Sequence, residues 1–237
     1  MPDAGCRRVT TQGGRTPSLH GTLFSDALSD VPAKLHDFAR AASRARSEDL
    51  TDFLPPKEGG RDSAVLVLFG MTQDQELDVL VIERAHDMRS HAGQPAFPGG
   101  AVDASDGGPI AAALREAQEE TGLDPTGVRV FGLLPDLYIP VSDFVVTPVL
   151  GWWQSPSPVF ARDPAEVASV HRIRLSEFAD PSNRTRVRHP SGYIGYGFGV
   201  RGLMMWGFSA GIMSGILDLG GWTQLWDRRR MTDVDTP

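Results

Sequence analysis

One stretch limits what this chain can become. Phe97 to Leu123 reads FPGGAVDASDGGPIAAALREAQEETGL: paired glycines, an acidic turn, then helix formers carrying three glutamates. Gly99 and Gly100 can place backbone where a side chain would clash. The run from Asp103 to Gly108 is turn chemistry. Pro109 suits the first turn of a helix. Ile110 to Thr121 are nearly all strong helix formers, and Gly122 stands where a helix C-terminus favours glycine. The spacing therefore predicts a helix over 110–121.

On a helical wheel Ile110, Ala113, Leu114 and Ala117 form one apolar arc, the spacing of a buried face. Glu116, Glu119 and Glu120 stand at i, i+3 and i+4 and share another face. Three like charges there repel, and Arg115 relieves only part of the repulsion. A divalent cation turns that repulsion into binding, and oxygen-only ligands select a hard ion, Mg²⁺ or Mn²⁺. The plain alternative is a solvated acidic helix face.

The spacing, the preceding glycines and the length between them act jointly. Together they resemble the Nudix box, Gly-x5-Glu-x7-Arg-Glu-U-x-Glu-Glu-x-Gly-U with U apolar. The match runs from Arg115 to Leu123, with Ala117 and Leu123 at U positions. The first half departs from it. The position that follows Gly100-x5 holds Asp106, not Glu, and eight residues rather than seven separate it from Arg115. Just upstream, Arg84-Ala85-x3-Arg89-x3-Gly93-x3-Phe97-Pro98-Gly99-Gly100 resembles the motif of the coenzyme A pyrophosphatase branch of Nudix hydrolases. Val81 and Ile82 stand where that branch has an aromatic and a hydroxyl residue.

The resemblance implies a fold of class α/β, a Nudix-like α/β/α sandwich with a mixed sheet. It implies Mg²⁺- or Mn²⁺-dependent cleavage of the pyrophosphate bond of coenzyme A or acyl-CoA, giving 4′-phosphopantetheine and adenosine 3′,5′-bisphosphate. Glu116, Glu119 and Glu120 are the expected metal ligands. Glu119, Glu166 and Arg115 are the expected catalytic residues. The base is open between Glu166 and Glu119, and Arg115 orients the glutamates through ion pairing. Glu166 enters because Nudix proteins often carry an acidic residue before the following strand; an ordinary charge at a strand start is the alternative. Arg84, Arg89, Gly99 and Gly100 form the expected substrate-binding set, since two arginines beside a Gly-rich loop can fork onto phosphate oxygens. Two other functions stay open: a Nudix hydrolase for ADP-ribose, NADH or another nucleoside diphosphate derivative, and a non-catalytic ligand-binding module.

Elsewhere the chain is ordinary for a globular protein, 41% hydrophobic and 22% charged over 237 residues. Its net charge of −7 argues against nonspecific nucleic-acid binding. The single cysteine, Cys6, excludes an intramolecular disulfide and fits a reducing compartment. The first residues lack the apolar run of a secretory signal, so a cytoplasmic protein is expected. The partner expected is a coenzyme A-like small molecule, with no nucleic acid and no membrane; a homodimer is left open.

The organisation expected is an N-terminal extension with one helix over 1–60, a hydrolase domain over 61–226 and a flexible tail over 227–237. The extension's helix is read over 32–46. Strands are expected at 63–69 and 77–82 as a hairpin, at 128–134, at 144–153, and from an opening at 164–167 through 175. Pro148 inside the fourth of these predicts an edge or a bulge. Arg184 to Val200 reads as a basic hairpin turning at Pro190-Ser191-Gly192. Its Arg186, Arg188, His189, Tyr193 and Tyr196 fit an anionic aromatic ligand, or else a protected edge strand. Gly202 to Leu217 is 16 residues without a charge. As a helix it spans about 24 Å, short of a bilayer core of roughly 30 Å, so a buried packing helix is expected.

Overall fold

The computed structural model describes residues 16–57, 59–86 and 93–234. In chain order its elements are β1 (Thr22–Leu23), α1 (His36–Arg44), α2 (Ser47–Leu50), β2 (Arg61–Met71), β3 (Leu77–Arg84), β4 (Pro95–Ala96), β5 (Gly99–Ala101) and α3 (Pro109–Thr121). They continue with β6 (Val128–Leu133), β7 (Leu137–Ile139), β8 (Phe144–Trp153), β9 (Val167–Arg174), α4 (Leu175–Ala179), β10 (Arg184–Arg188), β11 (Ile194–Val200), β12 (Leu203–Trp206), α5 (Gly207–Leu219) and β13 (Met231–Asp233).

The long apolar strands β2 and β8 run parallel at the centre of a mixed sheet, with Ser63 opposite Val146 and Phe69 opposite Trp152. Near-continuous apolar runs such as SAVLVLF suit strands covered on both faces. β3 pairs antiparallel with the far end of β2, and β9 lies beyond β3. The two strands part at their other ends. β5 fills the gap against β2 and β4 fills it against β3.

Alternation along the strands sends side chains to two cores. Leu66, Leu68, Leu80 and Trp153 face Ala112, Ala113 and Ala117 of α3. Val67, Phe69, Val79 and Leu150 face the other way, toward Phe38 of α1 and Ile212 and Ile216 of α5. Each large apolar side chain withdrawn from water contributes roughly 1.5–3 kcal/mol. The result is the α/β/α sandwich with a mixed sheet. On α3 the arc shifts slightly: Ala112 is fully buried, whereas Ile110 and Leu114 only pack on the rim of that core.

Several expectations change. The helix of the N-terminal segment begins at His36, after a 3₁₀ turn over Ala33–Leu35. As its amphipathic pattern leads one to expect, that helical stretch packs on the domain through Leu35, Phe38, Ala39 and Ala42; the addition is β1, which extends the sheet beside β6. Pro148 is neither at an edge nor in a bulge. β8 has β2 on one side and β6 and β7 on the other. The Pro148 carbonyl accepts from the Leu134 amide at 3.0 Å, where β6 has ended and β7 has not begun. In a strand, one residue's nitrogen and carbonyl point the same way, so the missing donor falls in that gap.

The sequence reading also missed a second, four-stranded sheet, ordered β12-β11-β10-β13. Leu203–Trp206 of the uncharged run is strand, and only Gly207–Leu219 is helix. Arg201 (φ 54°) and Gly202 (φ 81°) form the two-residue turn between β11 and β12, with positive φ at both as a type I′ hairpin needs. β10 is an interior strand, because Met231–Asp233 pairs parallel beside it. The chain from Asp227 to Val234 is therefore held, where a flexible tail was expected. The proposed ligand-binding group in this hairpin is split between two faces. Arg186 lies opposite Tyr196, while His189 stacks on Trp206 at 5.3 Å and Tyr193 covers Gly195. Phe198 and Met205 join the core opposite α3, so this sheet packs on the far side of the main sheet from the glutamates. Among the described residues no helix is long and apolar enough to cross a membrane.

Candidate active site

Helix α3 begins after Gly108, has Pro109 in its first turn, and stops at Gly122 in the left-handed region (φ 69°). It lies against β5, and the two glycines there decide how closely. A Cβ on Gly99 would stand 2.2 Å from the Ala64 carbonyl oxygen. A Cβ on Gly100 would stand 2.6 Å from the Glu116 carboxylate. The helix therefore brings its glutamates onto bare backbone. Glu120 is 4% exposed and accepts from the Gly99 amide at 3.0 Å.

Arg115 organises the outer part of this face. Its Nη1 donates to Glu116 Oε1 at 2.9 Å and to Glu119 Oε2 at 2.9 Å. Its Nε and Nη2 clasp the two Asp106 oxygens, each at 3.0 Å. Asp106, the departure from the box, thus reaches Arg115 and not the glutamates. That contact crosses the acidic turn, so spacing alone did not reveal it.

Burial, more than any other influence, raises Glu120 to about 8. The Gly99 amide and the Arg84 charge oppose this, and the Glu116 and Glu166 charges add to it. Glu116 is also raised, again chiefly by burial, against the hydrogen bond from Arg115. Glu119 is the exposed member, and Glu166 stands exposed just before β9. Arg84 is half-buried at the end of β3, and its Nε has no hydrogen-bond partner among the described residues. Its amide donates to the Gln94 carbonyl at 3.1 Å. Arg89 lies outside the described residues.

The donor set suits a hard divalent cation: oxygen ligands only, crowded, partly buried and mutually repelling. The carboxylates are gathered but not closed into a cage. Among the described residues no three acidic, imidazole or thiol groups already stand where they would hold an ion.

A family model described as the NUDIX domain matches residues 60–190, more than half of the 237-residue chain. An uncharacterized Nudix hydrolase NudL of Cronobacter sakazakii is 39% identical over 159 residues, 65% of this chain and 79% of that protein. The NudL of Citrobacter koseri is 46% identical over 117 residues, 49% of this chain and 59% of its own length. The chain belongs to the Nudix family, and it is an enzyme of the hydrolase kind. Among solved structures it is similar to a MutT/nudix family protein from Enterococcus faecalis (TM-score 0.45, 19% identity, 69% of this chain and 62% of that one). A NUDIX hydrolase from Nitrosomonas europaea is similar at TM-score 0.45 and 12% identity, over 75% of this chain and 80% of that one.

Proposed function

We propose that this enzyme, working in the cytoplasm, hydrolyses the pyrophosphate bond of coenzyme A or an acyl-CoA with Mg²⁺ or Mn²⁺, releasing 4′-phosphopantetheine and adenosine 3′,5′-bisphosphate. The observation that carries the reaction class is the packing of Glu116 and Glu120 onto the side-chain-free Gly99-Gly100 strand. The choice of coenzyme A rests on the Arg84-to-Gly100 motif. Glu116, Glu119 and Glu120 would hold the ion, which when bound screens the diphosphate and acidifies water.

Arg84, with an Nε–H to spare, meets a non-bridging phosphate oxygen, and Arg89 is assigned the same work. Glu166 or Glu119 takes the proton of the attacking water. A new P–O bond forms at one phosphorus, and the bridging P–O bond breaks. Arg115 keeps Glu116 and Glu119 turned toward the site. Gly99 and Gly100 let the diphosphate approach the backbone.

The test is hydrolysis of coenzyme A with each metal, beside ADP-ribose and NADH, for wild type and Glu120→Gln. Coenzyme A turnover that outpaces the others and collapses in Glu120→Gln supports the proposal. Much faster cleavage of ADP-ribose or NADH overturns the substrate. No cleavage of any of them, with tight binding of one, makes the chain a ligand-binding module.

A further inference from the structure

We infer that the segment from Ser155 to Glu166 is a strap that sets the place of Glu166 in the site, and that Arg162 is its positioning residue. The inference rests on the reading of Glu166 as a working carboxylate. It starts from the C-terminus of α3, where the last carbonyls have no partner within the helix. Two of them are taken by the strap: Thr121 O accepts from the Phe160 amide at 3.0 Å and Glu120 O from the Arg162 amide at 3.0 Å. Gln118 O, which already accepts from the Gly122 amide at 2.9 Å, accepts a second bond from Arg162 Nη1 at 3.2 Å. The helix has no basic residue in its own last turn. Arg162 supplies the cation that this negative end favours. The Phe160 ring lies on Gly122, 3.1 Å from where a Cβ would stand.

The strap is anchored before and after this clamp. Upstream, Ser155 N donates to Gly127 O at 3.1 Å, and Ser157 Oγ accepts from Asp124 N at 3.0 Å. Downstream, Asp163 turns the chain: its carboxylate accepts from Ala165 N at 2.9 Å and its carbonyl from Glu166 N at 3.0 Å. The Glu166 carbonyl then accepts from Ala85 N at 2.8 Å, the residue after Arg84. Glu166 is thus tied on one side to the turn carrying Glu119 and Glu120, and on the other to Arg84. An exposed carboxylate otherwise ranges over many positions, and ordering it beforehand removes that entropy from the reaction.

The experiment is a double-mutant cycle on kcat, with hydrogen exchange of the 155–167 segment read by mass spectrometry. The best-cleaved diphosphate serves as substrate, with Mg²⁺. Glu166→Gln should lower kcat about 100-fold, as loss of a general base does. Arg162→Ala should lower it roughly tenfold with KM unchanged, and Arg162→Lys should restore most of the loss. In the Glu166→Gln background Arg162→Ala should cost nothing further, because it acts through Glu166. Exchange over 155–167 should quicken in Arg162→Ala while that of β2 and β8 stays as in wild type. The same tenfold loss in both backgrounds overturns the inference, as does a fully active Glu166→Gln or an unchanged exchange rate over 155–167. A wild type inert on every diphosphate sinks the hydrolase proposal instead, and the exchange then decides the strap alone.

Discussion

The amide of Gly99 donates to the carboxylate of Glu120 at 3.0 Å, so the best-buried acid of the site is fixed to the backbone of β5. That one bond does not offset the burial of a charge, and Glu120 is raised to about 8. For a carboxylate the sign is clear. A folded-state value above the unfolded one means stability is full below about 4.5 and is lost as pH rises through about 8. In a chelating buffer, wild type should lose stability relative to Glu120→Gln between pH 4.5 and 8. Thermal melts of the two proteins across that range check it. The same substitution should cut Mg²⁺-dependent turnover by about three orders of magnitude. A variant that is more stable at pH 8 and inactive would mark Glu120 as held for function at the expense of stability.

Gly99 and Gly100 adjoin in sequence but should fail differently. At Gly99 an added Cβ meets the Ala64 backbone, which cannot move without parting β2 from β5. At Gly100 it meets the Glu116 carboxylate, which can swing away. Gly99→Ala should therefore lower Tm markedly, with circular dichroism as the check. Gly100→Ala should keep a Tm close to wild type and lose at least tenfold in kcat, because it displaces a carboxylate proposed to hold the metal.

Much of this site was readable locally. Helix α3, its stop at Gly122 and the shared face of Glu116, Glu119 and Glu120 follow from propensity and 3.6-residue periodicity alone. β2 and β8 announced themselves as apolar runs. What escaped depends on contacts between distant residues. Arg162 meets Gln118 across 44 positions. Pro148 is accommodated by a break between β6 and β7 that no property of Pro148 encodes. The strand Leu203–Trp206 is hidden in an uncharged run, because a buried strand and a buried helix have the same composition there. Asp106 looked like a flawed copy of a glutamate position, and its partner Arg115 became visible only when the acidic turn folded back.

Arg115 is the next place to test. One nitrogen serves Glu116 and Glu119 together, while the opposite edge holds both oxygens of Asp106. Lysine keeps the charge but has no planar fork. Arg115→Lys should lower kcat about 10- to 100-fold at saturating Mg²⁺. Asp106→Asn should act in the same direction, and the double variant should fall short of the product of the two losses, because both disturb one ion-paired unit. Steady-state kinetics on the four proteins read the coupling directly. Additive losses would separate Asp106 from the glutamates' orientation.

Far from the site, Glu177 ties α4 to the β11–β12 turn. Its Oε2 accepts from Arg201 Nε at 2.9 Å, and its Oε1 accepts from the Arg174 amide at 3.3 Å. The hydrogen bond from Arg201 is the main influence holding the Glu177 carboxyl below its ordinary value of 4.5; burial opposes it, and the Arg174 amide adds to the lowering. A depressed carboxylate contributes stability above its unfolded value and loses it as pH falls through the folded one. Glu177→Gln should therefore melt below wild type at pH 7. The gap should hold down to about pH 5, then close as the solution is acidified past 4.5. Arg201 itself sits at φ 54°, a conformation in which a non-glycine residue is uncommon, and this ion pair helps to keep it there. Arg201→Gly would relieve the backbone while losing the pair. At pH 7 it should lose less stability than Arg201→Ala, and once acid has protonated Glu177 and dissolved the pair it should exceed wild type.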